Sequence, residues 1–202
     1  MSFIKSFGIS ILVFIGLNFL FYVIAYAVDG ELETFFDLLS DEPLLIGYVL
    51  FGAIALLPGL VLQMGIIYPL YGEDYGLPDL TIIEIILFIG LIISPLIAAI
   101  LSGRFGESKF ESFGGWFLTA IISLALVAIF IFIDEVFVVK VAENSRKAGL
   151  PLIFGSFFLS PPAPPWPDYV ISTLTISVIV CGLISAVFYG FFALLVTKIE
   201  YY

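Results

Sequence analysis

Few residues in this chain can move a proton, bind a metal or attack a substrate. It contains no histidine and a single cysteine, Cys181. Without histidine the commonest general base and metal ligand is gone, and with it the Ser-His arrangements of acyl transfer. A lone cysteine forms no intrachain disulfide. Zinc, haem and iron–sulfur sites need His or Cys ligands in number. The sequence therefore predicts no catalytic residue, no metal site and no cofactor.

Carboxylates are what remain. Acidic residues number 17 and basic residues 7, for a net charge of −10. That balance argues against nucleic acid, which requires clustered Lys and Arg. It also argues against docking on anionic headgroups, which attract polybasic segments. Asp29, Glu31, Glu33, Asp37, Asp41 and Glu42 fall in one loop without a cation, and Glu73, Asp74, Asp79 and Glu84 lie in or beside the next. Neither loop carries the EF-hand spacing of a calcium site. Asp134 and Glu135 interrupt an apolar run and are the best candidates for acids at membrane depth, where ionisable groups mark function. Adjacent helical residues point about 100° apart, so these two would not share a site. The turn from Ser102 through Gly103, Arg104, Gly106 and Lys109 to Gly115 is glycine-rich but has no phosphate-loop spacing.

The elements that carry these groups are apolar. Hydrophobic types make up 62% of the 202 residues and charged types 12%, against roughly 45–50% and 25% in soluble domains. Aromatic residues at 17% exclude a disordered chain. Five stretches reach the ~20 apolar residues that a membrane-crossing helix needs: about 7–28, 44–70, 81–101, 115–139 and 169–197. Their continuous apolarity excludes the alternation of barrel strands. Expected is a single all-α integral membrane domain over 1–202, with about five transmembrane helices and two short interfacial helices. Lys5 and the Ala25-Tyr26-Ala27 run resemble a signal peptide, but the apolar run is too long for one and reads as a retained span.

The second stretch allows two readings. Leu57-Pro58-Gly59 near its middle kinks one tilted helix or divides a re-entrant hairpin. Lys and Arg counts do not choose between them. Five spans place Lys5, Lys140, Arg146 and Lys147 on one side and Arg104, Lys109 and Lys198 on the other; a hairpin places Lys5, Arg104, Lys109 and Lys198 together. Ser94-Pro95 marks a second kink. Among neutral polar residues within the spans, Asn18 and Gln63 are the best candidates for interhelical hydrogen bonds, with Ser94, Ser123, Ser177 and Ser185 as further glue.

Two segments between spans are amphipathic. Leu32, Phe35, Phe36 and Leu39 share one helical face, away from Glu33, Asp37 and Asp41, and Asp29 is the expected N-cap. Leu150, Ile153, Phe154, Phe157 and Phe158 repeat the spacing. A stiff Pro161–Pro167 spacer then leads to the last span, with Trp166 and Tyr169 at the interface. The surplus apolar faces at Leu32, Phe35, Phe36, Leu39, Phe154, Phe157 and Phe158 are candidate partner contacts. The expected function is a non-catalytic structural or accessory subunit of a membrane complex, partnered by lipid and other membrane subunits, in the cell membrane. The alternative is a transporter or permease-associated subunit in solute or lipid translocation, with kinks at Pro58 and Pro95 as movable elements and Asp134 or Glu135 as candidate pathway acids. A lipid-handling enzyme using loop acids is a more distant third.

Overall fold

A computed structural model of the chain describes residues 2–41, 45–54, 82–133 and 168–197. These residues are 94% helical and include no strand. The elements are α1 (Ser2–Asp29), α2 (Leu32–Asp41), α3 (Leu45–Phe51), α4 (Ile82–Phe105), α5 (Lys109–Ile133) and α6 (Asp168–Val196). Three helices are long and apolar enough to cross a membrane: Phe3–Asp29 of α1, Ile85–Phe105 of α4 and Lys109–Phe130 of α5. α6 runs for 29 residues, and its Gly182–Val196 portion is apolar as well. Pro95 lies inside α4, which continues past it to Phe105.

The packing is inverted relative to a protein in water. Large apolar side chains point outward: Ile4 is 74% exposed, Leu12 71% and Leu195 74%. The interior combines aromatic rings such as Phe14, Trp116 and Tyr189 with small and hydroxylated residues, among them Ser6, Ser10, Ser94, Ser102, Ser112, Thr119, Ser123 and Ser185, with Ala98, Ala99, Ala120 and Ala193. Lipid tails are as apolar as leucine, so no hydrophobic force gathers such helices. Close packing of small residues and interhelical hydrogen bonds do so instead.

Contacts between helices fix their directions. Ser6 of α1 meets Ser102 of α4, and Phe21 packs on Gly90, so α1 and α4 are antiparallel. Gly115 of α5 abuts Ser6 and Phe7, and Gly103 of α4 abuts Ala193 of α6. The start of α1, the end of α4, the start of α5 and the end of α6 therefore share one end of the bundle. Exposed Lys5, Arg104 and Lys109 stand there, with Glu107 beside them. The opposite end carries exposed Asp29, Glu31, Glu33, Asp37 and Asp41.

Two residues, Gly30 and Glu31, separate α1 from α2. Gly30 takes φ = 79°, the left-handed conformation that glycine adopts without penalty. Its N–H donates to the Ala27 carbonyl at 3.3 Å, and that of Glu31 donates to Tyr26 at 2.9 Å. This pair of bonds is the Schellman closure of a helix. The Glu31 carbonyl then accepts from Phe35 N at 3.1 Å and opens α2. The expected N-cap at Asp29 is thus corrected. Asp29 ends α1 and Glu31 takes the capping position, because the glycine turn is too short to leave Asp29 outside the first helix.

Candidate functional site

The polar groups of the described bundle form three sets. The first is a serine cluster at the cationic end. Ser6 Oγ donates to the Ser102 carbonyl at 2.9 Å and lies 2.7 Å from Ser102 Oγ. Ser102 Oγ donates to the Ser112 carbonyl at 2.8 Å, and Ser112 Oγ to that of Ser108 at 2.9 Å. All three serines are fully buried. Together they join α1, α4 and α5 through neutral hydroxyls whose partners are mostly backbone carbonyls.

The turn that feeds this cluster is built by a capping box. Ser108 Oγ accepts from Glu111 N at 3.2 Å, while Glu111 Oε2 accepts from Ser108 N at 3.1 Å and from Glu107 N at 3.2 Å. A serine followed three positions later by glutamate is the sequence signature of this motif. Reading the segment for a phosphate loop passed over that simpler signal. The carboxylate already takes the backbone donors that an anion would use.

The second set surrounds Trp116. This side chain is fully buried, and its Nε1 donates to the Ala186 carbonyl of α6 at 2.8 Å. Phe14 meets it edge-on at 6.1 Å and Tyr189 at 6.0 Å, the T-shaped geometry that aromatic quadrupoles favour. Thr119 and Ser123 on the same helix turn inward to their own backbone, bonding Gly115 O at 3.0 Å and Thr119 O at 2.8 Å. Ser123, expected to join helices, therefore spends its proton within α5, a common choice for hydroxyls on apolar helices. The buried hydroxyls of Ser10, Ser94, Ser185 and Tyr189 make no hydrogen bond among the described residues.

The third set lies between α1 and α3. Asn18 Nδ2 donates to the Leu50 carbonyl at 2.7 Å. Asn18 is 4% exposed and borders a small void with Phe21, Val49, Ala53 and Gly90.

The candidate partner-contact residues separate in the structure. Phe35 is buried within the chain, tilted on Tyr26 at 5.0 Å, stacked on Tyr22 at 6.2 Å and near Phe19 at 6.3 Å. It is an internal anchor and not a free contact, because the short glycine turn folds α2 back against α1. Leu39 packs partly on the same core. Phe36 remains 48% exposed, and Leu32 is half-buried. Gln63, Asp134, Glu135, Phe154, Phe157 and Phe158 lie outside the described residues, as does the proline-rich spacer.

Among the described residues, the buried polar side chains are Ser, Thr and Asn, with no Asp, Glu, Lys or Arg. None of the described Cys, Asp and Glu residues form a group that could hold a metal ion. What this chemistry can do is tie helices to one another. No family model matches the chain, and no curated protein or solved structure matches it either.

Proposed function

We propose that this chain is a non-catalytic subunit that holds partner subunits in place within a membrane complex. The supporting observation is where its polar groups go. The described interior places its hydroxyls, its amide and its indole between or along its own helices. Its outer surface offers apolar side chains such as Phe188, Phe191 and Leu195 of α6. A bundle of this kind supplies shape and packing surface. The test is purification from native membranes in mild detergent. A stoichiometric partner is the expected result, and migration as a lone chain overturns the reading.

We further infer four crossings by α1, α4, α5 and α6. The chain leaves α1 and enters α4 at the same end of the bundle, which requires an even number of crossings, zero included, between them. The α2 segment is acidic and carries no cation, which supports placing that end outside and the end with Lys5, Arg104 and Lys109 in the cytoplasm. Cysteines introduced at Glu31 and Ser108 test this in sealed spheroplasts. Labelling of the Glu31→Cys chain but not the Ser108→Cys chain by an impermeant maleimide is expected; the reverse pattern inverts the orientation.

One observation favours a transport-associated subunit as the second reading. α3 ends beside the middle of α1, and interrupted helices at mid-membrane are where transporters bind their cargo. An active complex whose solute uptake is unchanged by Asp134→Asn with Glu135→Gln removes those acids from any pathway.

A further inference from the structure

α3 enters the bundle from the acidic end and is interrupted at Gly52, after which Ala53 and Ile54 are again helical. Near its start, Gly47 lies against the Phe130 ring, three residues before the end of α5, and Tyr48 meets the same ring at 6.4 Å. Leu50 has already reached Asn18. Asn18 precedes Asp29 by eleven residues, so this contact lies roughly 16 Å from the end of α1, about half of a ~30 Å hydrocarbon core. The helix breaks at Gly52, whose N–H bonds back to Tyr48 O at 2.8 Å. A helix interruption at such depth persists only where protein satisfies its freed backbone groups, and here the amide of Asn18 takes the Leu50 carbonyl.

We propose that Asn18 is the latch at this interruption: its hydrogen bond to Leu50 keeps α3 inserted to mid-depth. The apolar side chains of α3 do not set that depth by themselves. Val49 and Ile54 are buried, but lipid would receive them almost as well as the bundle does. The Leu50 carbonyl has no such alternative in hydrocarbon. Around the latch the fit leaves slack: a void of about 10 Å³ separates Asn18 from Val49, Ala53 and Gly90. Asn18 is thus a positioning residue, and the inference rests on the reading of this bundle as membrane-embedded.

The test uses the full chain in proteoliposomes, in a Cys181→Ser background, with one reporter cysteine at a time. Ala53→Cys reports on α3 beside the latch, and Ala120→Cys reports on the buried face of α5; both alanines are 5% exposed or less. Adding Asn18→Leu is expected to raise maleimide labelling of the first reporter about three- to tenfold, as loss of one interhelical hydrogen bond in lipid predicts, and to leave the second unchanged. Asn18→Gln, which keeps a donor, is expected to recover part of the protection. No rise at position 53, or equal rises at both positions, overturns the latch in a chain that stays with alkali-washed vesicles. A chain washed out of those vesicles overturns the membrane reading, and the latch with it.

Discussion

Gly103→Ala is expected to destabilise the bundle, while Gly16→Ala leaves it unchanged or stabilises it. Both glycines lie inside helices, where alanine is favoured by about 1 kcal/mol on backbone grounds. A Cβ at position 16 meets nothing within 4 Å, so the backbone gain stands alone there. At position 103 a Cβ collides with the Ala193 carbonyl oxygen and comes within 3.0 Å of both the carbonyl carbon and Cα of that residue. The obstacle is backbone and cannot rotate away, so α4 and α6 must separate. Overpacking costs about 1–3 kcal/mol. Separation also strips contacts along the interface, which places Gly103→Ala at the upper end and Gly103→Val beyond it. Thermal denaturation in detergent, followed by loss of the monodisperse peak, measures the contrast. Equal stability of the alanine variants at 16 and 103 would refute the close approach of α4 and α6.

Trp116→Ala is the second large expected effect. Large-to-small changes at buried aromatic sites cost about 3–5 kcal/mol in water-soluble proteins. Part of that is transfer from water, which is reduced when the unfolded reference also sits in lipid. The packing part remains, because Trp116 is fully buried and touches Phe14 and Tyr189. About 3 kcal/mol is therefore expected. Trp116→Phe separates the contributions. It retains one ring, loses the 2.8 Å bond to Ala186, a carbonyl that keeps its own helical partner within α6, and leaves a smaller void than alanine does. Its expected cost is about 1 kcal/mol. The same denaturation assay reads both variants, and a Phe variant as damaged as the Ala variant would show that the indole hydrogen bond, not the packing, holds α6 in place.

The membrane class was legible in composition, because spans leave a signal in almost every residue they contain. α2 was legible for a related reason: Leu32, Phe35, Phe36 and Leu39 recur at helical spacing against acids. What the spacing could not tell was which neighbour receives that face. Phe35 goes to Tyr22 and Tyr26 of its own chain, a choice made by the Gly30 turn. Lys and Arg counting left two topologies open because it depends on which loops share a side. Long-range pairs such as Ser6 with Ser102 show which helix ends lie together, and no local pattern announces them. The capping box at Ser108 and Glu111 was present in the letters and was missed because glycine drew attention to phosphate chemistry instead. Asn18 stood out as a polar residue in an apolar run, but its partner is a carbonyl, and every residue has one.

The junction at Gly30 has a mechanical consequence. With only Gly30 and Glu31 between α1 and α2, two closing hydrogen bonds at the turn and Phe35 set among the aromatic rings of α1, the two helices move as one crank. Spanning helices tilt to match bilayer thickness. α2 has 10 residues and so forms an arm about 15 Å long. A tilt of roughly 10° in α1 sweeps the far end of that arm by about 2–3 Å, carrying Glu33, Asp37 and Asp41 with it. In a bilayer, the membrane's thickness would thereby set the position of a row of negative charges at its surface.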